Sequence, residues 1–257
     1  MNKTIVIKLG GSVLGSHDTS LDDVARLKLE GWHPVVVHGG GTVVNNWLKR
    51  LGIATKMIMG ERVTDKDTID VVTAVLSGLV NKEITALLLS RGVKAVGLSG
   101  VDGGLVSGKP RGADWGYMGD VARVDPTIIK TLLDNDVVPV ISPVSLNSDE
   151  GLVRLLNING DPVAGELAAA LQAERLVFLT DVAGIKDATG NHIRSISTID
   201  AEILINTGVA TGGMIPKIKA ARRASAAGTI TSIIDGKKPH ILYNEITLGS
   251  MGTAITI

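Results

Sequence analysis

The 257-residue chain has no cysteine, which excludes disulfides, thiolate metal ligands and a cysteine nucleophile. Aromatic residues make up only 2% of it, so the core must be aliphatic, and stacking platforms for single-stranded nucleic acid are disfavoured. Neither sign of charge dominates, because 26 basic residues balance 26 acidic ones, whereas a duplex-DNA binder needs a basic excess. We therefore expect no nucleic-acid partner.

Long hydrophobic runs are also lacking. We find no segment with the roughly 18 apolar residues that a membrane span needs. The first apolar run, residues 4–7, is cut by Lys8 and closed by Gly10-Gly11, unlike a signal peptide. Hydrophobic residues are 44% and charged residues 20%, as in an ordinary globular protein with a sizeable core. We expect a cytoplasmic protein with no membrane partner.

The chain does contain short β-rich runs that alternate with helical patterns. Most of the runs are apolar on both faces, which is typical of buried parallel strands. The alternation predicts an α/β fold, a three-layer αβα sandwich around a mainly parallel open sheet. The predicted strands are 4–9, 34–37, 93–98, 137–141, 176–180 and 230–234. The predicted helices are 21–30, 42–51, 65–91, 126–134, 162–171, 200–206 and 215–227.

Capping residues mark several of the predicted helix starts. Thr64 with Asp67 resembles a capping box. Asp125 and Asp161 each precede a proline, and both match an N-cap followed by proline at the first helical position. Two other stretches, 54–64 and 103–123, combine glycine and charge with isolated β-formers. They indicate hairpins or lids outside the sheet.

Ligands of parallel α/β sheets bind at the carboxyl ends of the strands, and two of these ends are glycine turns. Gly10-Gly11 follows the first predicted strand, and Gly39-Gly40-Gly41 follows the second and leads into a helix. Backbone N–H groups of such turns bind phosphates or carboxylates, although tight turns also use glycine for packing alone. The spacing matches neither the P-loop nor the dinucleotide fingerprint, which argues against a nicotinamide oxidoreductase.

Five side chains are candidates for chemistry, and each also has a structural interpretation. Lys8 ends an apolar strand, where it is either exposed or aimed at a phosphate. Lys217 lies in the first turn of a helix, where a cation opposes the helix dipole unless an anion docks there. Asp161 caps a helix, holds the two lysines, or does both. Arg62 suits bidentate carboxylate binding but taken alone is more typical of a solvated surface. His38 is a candidate catalytic group, although a lone histidine at a strand end is more often structural.

The motifs around these residues resemble those of the amino acid kinase family. They occur in the same order as in the family and together cover essentially the whole chain. The first motif is shared across the superfamily, whereas the Arg-Val-Thr, Asn-Ile-Asn-Gly-Asp and Gly-Met-Ile-Pro-Lys segments are more specific. The motifs are Lys8-Leu9-Gly10-Gly11, His38-Gly39-Gly40-Gly41, Gly60-Glu61-Arg62-Val63-Thr64, Asn157-Ile158-Asn159-Gly160-Asp161, Thr180-Asp181-Val182-Ala183-Gly184 and Gly212-Gly213-Met214-Ile215-Pro216-Lys217.

This resemblance implies an ATP-dependent kinase that phosphorylates the γ-carboxylate of N-acetyl-L-glutamate in arginine biosynthesis. Residues 1–175 would hold the amino-acid substrate and residues 176–257 the ATP, with Mg²⁺ bound through the nucleotide rather than by side chains. Lys8 and Lys217 would neutralise the transferring phosphoryl group, and Asp161 would orient both lysines. The implied phosphate- or oxyanion-binding residues are Gly10, Gly11, Gly40 and Gly41. The implied substrate-binding residues are Gly40, Gly41, Arg62 and Asn157. The implied nucleotide-binding residues are Asp181, Val182, Ala183, Gly184, Ile185, Lys186, Val209, Ala210 and Thr211.

One departure from the family pattern leaves the substrate open. Gly160 stands where many members have alanine, and glycine also occurs in related kinases that act on aminoadipate or glutamate held by an acidic carrier protein. Such a carrier would favour a basic rim, for which Lys109 and Arg111 are candidates, although Asp114 and Asp120 lie beside them. A non-catalytic amino-acid-binding module is disfavoured, because it would not need both lysines and the aspartate.

Two further expectations concern the segment 109–118 and the assembly. The segment is unusual for the family and is a candidate substrate lid. Relatives that arginine inhibits carry an N-terminal helix that links dimers into a hexamer. Here the first predicted strand begins at Thr4, so we expect a homodimer that arginine does not inhibit. The sequence neither indicates nor excludes a regulatory protein partner.

Overall fold

The computed structural model of the chain describes residues 3–11, 19–58, 60–149 and 154–257. A π-helical segment, Ala74–Val80, joins α3 to α4 in one helical run. The strands in the described ranges are β1 (Thr4–Leu9), β2 (His33–His38), β3 (Lys56–Ile58), β4 (Glu61–Val63), β5 (Ala95–Ser99), β6 (Val106–Pro110), β7 (Met118–Val124), β8 (Val138–Ser142), β9 (Val144–Asn147), β10 (Leu155–Ile158), β11 (Arg175–Thr180), β12 (Ser195–Ser197), β13 (Ile230–Asp235) and β14 (Thr253–Thr256). The helices in the same ranges are α1 (Ser20–Leu29), α2 (Gly41–Arg50), α3 (Lys66–Thr73), α4 (Asn81–Leu89), α5 (Thr127–Asp134), α6 (Gly160–Ala170), α7 (Thr198–Asn206), α8 (Met214–Ser225) and α9 (Ile241–Thr247).

The central sheet has eight strands in the order β12-β14-β13-β11-β1-β2-β8-β5. Its pairs are parallel except for β13 and β14. Strand β1 lies between β11 and β2, so the glycine turns that follow β1 and β2 are neighbours at one edge of the sheet. The predicted mainly parallel open sheet is confirmed.

Alternating side chains of β1 show the three layers. Ile5, Ile7 and Leu9 belong to one buried cluster with residues of α1, α2, α3, α4 and α9. Val6 belongs to the other cluster, with residues of α5, α6, α7 and α8. Since side chains alternate along a strand, Lys8 points to the same side as Val6, toward α6 and α8. The αβα sandwich is confirmed, and its layers decide which helices Lys8 can reach.

All six predicted strands are present, as β1, β2, β5, β8, β11 and β13, with ends within two residues of those predicted. The seven predicted helices are also present, the long one being α3, the π-helical segment and α4 together. The sequence patterns missed α9, β9, β10, β12 and β14. These elements have three to seven residues, too few for a periodicity to stand out.

The two stretches predicted to lie outside the sheet do form separate β units. Residues 54–64 contain the hairpin β3–β4, in which Met57 pairs with Arg62. Residues 103–123 contribute β6 and most of β7, which close into a four-stranded barrel with β9 and β10. Strand β10 leads directly into α6, so this barrel delivers the chain to the N-terminus of that helix.

Two predicted helix caps are wrong by one residue. Asp65, not Thr64, caps α3, because its carboxylate accepts a hydrogen bond from the Thr68 N–H at 2.8 Å. The backbone of Thr64 is instead paired with residues 115–117. Helix α5 begins at Thr127, so the proline before it occupies the cap position, and Asp125 accepts a hydrogen bond from the Thr127 N–H at 3.1 Å.

The helical run Lys66–Leu89 is long and apolar enough, by length and composition, to cross a membrane, which corrects the expectation that no segment is. Its inward side chains, among them Ile69, Val72, Ile84 and Leu88, are buried in the core. Packing of this kind identifies it as a core helix of the sandwich.

Candidate active site

Lys8 lies buried at the centre of the sheet's carboxyl edge. It is the fifth of six residues in β1, and its ammonium group is 2.7 Å from Asp161 Oδ1. Only 9% of its side chain is exposed. This burial excludes the exposed-strand-end interpretation, and the ion pair with Asp161 offsets the cost of burying the ammonium group.

Asp161 holds a second lysine on its other oxygen. Lys217, in the second turn of α8, donates to Asp161 Oδ2 at 2.8 Å. Burial by itself raises the pKa of the Asp161 carboxyl, but the charges of Lys8 and Lys217 outweigh it and hold the pKa below its ordinary value. The aspartate is therefore ionised and fixes two ammonium groups in one place.

Asp161 does not cap α6, contrary to one of the two roles predicted for it. The cap is Asn159, whose side-chain Oδ1 accepts a hydrogen bond from the Asp161 N–H at 3.0 Å. Since the helix begins at Gly160, the aspartate lies inside the first turn. Its carboxylate is thus free for the two lysines.

A close approach of α6 and α8 brings Asp161 and Lys217 within reach of each other. A Cβ atom on Gly165 would lie 2.7 Å from Ala220 O and 2.8 Å from Ala220 Cα. Gly165 follows Asp161 by about one turn, and Ala220 follows Lys217 by nearly one turn. The glycine therefore sets the helix spacing at which the ion pair forms.

The two glycine turns pack against each other beside the lysines. A Cβ on Gly11 would lie 3.3 Å from the backbone nitrogens of both Gly40 and Gly41. Gly40 has a φ of +148° and caps α2, whose first N–H groups have no partner within the helix. The Gly10 N–H donates to Leu179 O at 3.0 Å. The turns thus present Gly11, Gly40 and Gly41 amides, together with a helix N-terminus, to an anion.

A cavity of about 410 Å³ opens beside Lys8 and the two turns. Arg62 and Asn157 both line it. Arg62 is 8% exposed, and its Nη1 is buried with no hydrogen-bond partner among the described residues. Burial lowers the pKa of this guanidinium from 12.5, yet arginine keeps its charge at neutral pH. Its Nη2 donates to Gly41 O at 3.4 Å. A buried guanidinium whose Nη1 has no partner is suited to binding a carboxylate in the cavity, and its burial excludes the solvated-arginine interpretation.

The rest of the cavity wall is divided between apolar and polar side chains. Asn157 donates from Nδ2 to Thr64 Oγ1 at 2.9 Å, which orients its amide. Glu61, which sequence reasoning did not single out, also lines the cavity and contacts Asn159 and Arg111. Its partners are 50 and 98 residues away in the chain, so no local pattern marks it. The apolar wall consists of Val44, Met57, Val72, Leu76, Met118, Pro143 and Ile158.

The segment 109–118, predicted as a candidate lid, is docked on the β3–β4 hairpin. Thr64 and residues 115–117 exchange backbone hydrogen bonds, from Thr64 N to Trp115 O at 3.2 Å and from Tyr117 N to Thr64 O at 2.6 Å. Met118 reaches the cavity wall.

His38 has a structural role. Its Nδ1 donates to Gly39 O at 2.8 Å, and its Nε2 accepts from the Asn81 side-chain amide at 3.1 Å. Burial lowers its pKa from 6.5 to about 4, so the ring is neutral at pH 7. Asn81 also donates to Leu98 O and Val140 O, which ties the ring to the sheet.

The residues predicted to bind a nucleotide lie outside the cavity but at the same edge of the sheet. Residues 181–186 follow β11, the neighbour of β1, and Ile185 is buried where its N–H donates to Thr253 Oγ1 at 2.8 Å. Residues 209–211 lead to α8, which carries Lys217, and Thr211 O accepts from Met214 N at 3.1 Å. Lys217 thus connects the second loop, through α8, to Asp161 beside the cavity.

In the part of the chain that the structure describes, side chains that could bind a resident metal ion do not lie together. In the described ranges, no three His, Asp or Glu side chains lie close enough together to hold a metal ion. Both oxygens of Asp161 are occupied by lysines.

Fold and site together define a phosphotransferase of one family: the chain belongs to the amino acid kinase family, whose model matches residues 3–235. It is 54% identical to the acetylglutamate kinase of Dehalococcoides mccartyi strain CBDB1, an alignment that covers 99% of this chain and 95% of that protein. It is 47% identical to the acetylglutamate kinase of Synechococcus sp. strain CC9605, over 98% of this chain and 89% of that protein. A solved structure from Streptococcus mutans UA159 superposes with a TM-score of 0.84 at 30% identity, covering 100% of this chain and 99% of the other.

Proposed function

We propose that this protein transfers the γ-phosphoryl group of ATP to the γ-carboxylate of N-acetyl-L-glutamate, in the second step of arginine biosynthesis. One observation carries the proposal: a Lys8–Asp161–Lys217 cluster borders a cavity in which buried Arg62 has an unpaired guanidinium nitrogen. The kinase relatives named above support the choice of substrate.

The reaction needs positioning and charge compensation rather than a general base. A carboxylate is already ionised at neutral pH, so its oxygen attacks the γ-phosphorus directly. A bond forms between that oxygen and phosphorus, the bond to the bridging oxygen breaks, and ADP leaves with the electron pair. Two anions must approach each other, and Lys8 and Lys217 supply positive charge where they meet. Asp161 keeps both ammonium groups in place. The amides of Gly11, Gly40 and Gly41 donate to oxygens of the two reacting anions.

The acceptor lies in the cavity in this proposal. Arg62 binds its α-carboxylate, and Asn157, held by Thr64, donates to or accepts from its polar groups. The apolar wall of Val44, Val72 and Leu76 receives the acetyl methyl group. This arrangement places the γ-carboxylate toward Lys8 and the glycine turns.

ATP lies on the other side of the cluster in this proposal. Residues 1–175 hold the amino-acid substrate, and residues 176–257 hold the nucleotide through the loops 181–186 and 209–211. Mg²⁺ would be bound through the phosphates of ATP, where it would neutralise charge on the β- and γ-phosphates. Lys217, on the helix after the second loop, then contacts the transferred group.

We further propose a homodimer of cytoplasmic chains that pairs through the edge strand β5 and the helical run beside it. Strand β5 ends the sheet order, so it has an open side among the described strands. Val96 of this strand and Leu79, Leu87 and Leu89 of the neighbouring helical run are exposed apolar side chains. An open edge next to an apolar helix face is typical of a pairing surface. Light scattering should give a mass of about twice 26.7 kDa; a monomer would contradict the proposal.

The decisive test is a hydroxylamine trap of the acyl phosphate. The protein is incubated with MgATP and hydroxylamine, with N-acetyl-L-glutamate in one reaction and free glutamate in another. Hydroxamate from N-acetyl-L-glutamate alone supports the proposal. Hydroxamate from neither, with ATP still bound, would favour the carrier-held substrate. The ties of Arg111 to Glu61 and Asp120 disfavour that alternative, because they neutralise one of the two cations predicted for a basic rim.

A further inference from the structure

Glu61 begins β4, next to Arg62, and lines the substrate cavity. An anion here needs an explanation, since the proposed acceptor is itself an anion. The two oxygens of Glu61 have different partners. Oε1 accepts a hydrogen bond from Asn159 Nδ2 at 3.1 Å, and Oε2 pairs with Nη1 of Arg111.

Asn159 is the first of these partners, and both ends of its amide are used. Its Oδ1 accepts from the Asp161 N–H at 3.0 Å, which caps α6. Its Nδ2 donates to Glu61. A carboxylate accepts and never donates, so Glu61 determines which end of the amide faces the helix. Without it, the amide can rotate and present its NH₂ group to the Asp161 N–H, and the cap is lost.

Arg111 is the second partner and neutralises the carboxylate. Its Nε lies 3.1 Å from Asp120 Oδ2, and its guanidinium carbon is 5.0 Å from the centre of the Trp115 ring. The hydrogen bonds to Asp120 and then to Glu61 raise the pKa of this guanidinium above its ordinary value despite partial burial. Arg111 belongs to the 103–123 unit, so the ion pair joins that unit to the hairpin at the cavity.

We propose that Glu61 is a positioning residue: held and neutralised by Arg111, it orients Asn159 and thereby the first turn of α6 that carries Asp161. The proposal rests on the proposed function for its kinetic part. The proposal gives the unusual 109–118 segment a function. The segment supplies Arg111, which neutralises the Glu61 carboxylate beside an anionic substrate. Glu61 has two separable effects. Its hydrogen bond with Asn159 affects turnover, and the charge of its carboxylate affects substrate affinity.

Four variants separate the two effects. Glu61→Ala removes the acceptor for Asn159 and should lower kcat about tenfold or more, since displacing catalytic groups by even 1 Å is costly. Glu61→Gln has one oxygen for the two donors, Asn159 Nδ2 and Arg111 Nη1, and should lower kcat by less than Glu61→Ala. Arg111→Met leaves the carboxylate unpaired and should raise the KM for N-acetyl-L-glutamate about tenfold by like-charge repulsion. Adding Glu61→Gln to Arg111→Met should bring that KM back to within about threefold of wild type.

Arg91→Met is the matched control. Arg91 pairs with Asp22 and has a similarly exposed side chain, 26% against 22% for Arg111. The partners of its side chain, Asp22 and Leu87, do not line the cavity, so both kinetic constants should stay at wild-type values. A purely structural role for Arg111 would predict that the double variant is no better than Arg111→Met, and that result would overturn the proposal.

A second readout does not depend on activity. In protein labelled with ¹⁵N-asparagine, the Asn159 side-chain amide is assigned by its loss in Asn159→Ser. Its protons should exchange slowly with water in wild type, at least about tenfold faster in Glu61→Ala, and at an intermediate rate in Glu61→Gln. Equal exchange in all three would overturn the positioning role. If wild type gave no hydroxamate while the exchange pattern held, the proposed substrate would be wrong and the role of Glu61 would stand.

Discussion

One buried carboxylate between two lysines is the central feature at the scale of single residues. Lys8 and Lys217 are 9% and 13% exposed in their side chains, and Asp161 is the ion-pair partner of both. Because Asp161 pairs with both ammonium groups, it offsets part of the cost of burying them. The cluster of the three residues keeps a net positive charge. A cluster of this charge is suited to binding the γ-phosphate of a nucleotide, as we propose.

Replacing Lys217 by alanine should cost far more turnover than stability. The charge it brings to the transition state is lost, so kcat should fall by about 10²–10³, by analogy with the loss of one oxyanion-hole donor. Asp161 still pairs with Lys8, so the free energy of unfolding should fall by only about 1.5–3 kcal/mol. Lys219→Ala, an exposed lysine two residues along the same helix, is the control and should behave as wild type. Near-wild-type turnover in Lys217→Ala would rule out its proposed role.

His38 should make folding stability depend on pH in mildly acidic solution. Its pKa is about 4 in the folded protein and 6.5 in the unfolded chain, so between these values only the unfolded state binds the proton. Stability is therefore complete above pH 6.5 and is lost as the pH falls toward 4. Between pH 7 and pH 5 the free energy of unfolding should drop by about 2 kcal/mol. Urea unfolding at both values measures this, and an unchanged slope in His38→Gln would show that another group is responsible.

At the scale of elements, the contact of α6 with α8 decides whether the reaction centre assembles. Helix propensity alone does not favour glycine at position 165 in the middle of α6. The glycine is needed because a Cβ would collide with the backbone of Ala220. This requirement belongs to the pair of helices, and neither sequence segment shows it by itself.

Gly165→Ala should therefore lower both stability and turnover. The added methyl group has to push two packed helices apart, which costs about 1–3 kcal/mol, as overpacking does in other cores. The same shift separates Lys217 from Asp161 and should reduce kcat. Gly78→Ala is the control, since a Cβ there meets nothing within 4 Å, and it should be neutral or stabilise by about 0.5–1 kcal/mol. If both variants unfolded at the same urea concentration, the helix spacing would not depend on Gly165.

Elements with many residues of one pattern were predictable, and short ones were not. The six predicted strands and the seven predicted helical segments carry runs of apolar residues whose length and period identify them. Strand β12 has three residues and β14 has four. Both are strands because they pair with neighbouring strands of the sheet, and the local sequence does not show this pairing. The cap of α6 shows the same limit, because Asn159 and Asp161 are both good N-cap residues and only the packed helix start selects Asn159.

At the scale of the whole molecule, the topology brings positions 8, 161 and 217 to one point. Strand β1 lies at the centre of the sheet between β11 and β2, and α6 and α8 pack on the same face of it. A nucleotide that bridges this cluster and the loops 181–186 and 209–211 contacts parts of the chain that fold together. Binding should therefore stabilise the entire molecule.

Thermal unfolding with and without MgATP tests this. A ligand at about 100 times its dissociation constant adds about 2.7 kcal/mol to the free energy of unfolding, which raises the melting temperature by several degrees. NADH at the same concentration is the control and should leave the melting temperature unchanged, because the glycine turns lack the dinucleotide spacing. A shift with NADH and none with MgATP would contradict the assignment to a kinase.

The sequence by itself determined the class of fold, the family and the identity of the charged residues at the reaction centre, because runs of apolar residues and contiguous motifs are local properties. Only the tertiary structure decided that Asp161 joins two lysines instead of capping its helix. It alone showed that the amides of Gly11, Gly40 and Gly41 converge, and that Glu61 is held by residues from two distant segments. Those features are distances between atoms far apart in the chain, and they exist only once the layers have packed.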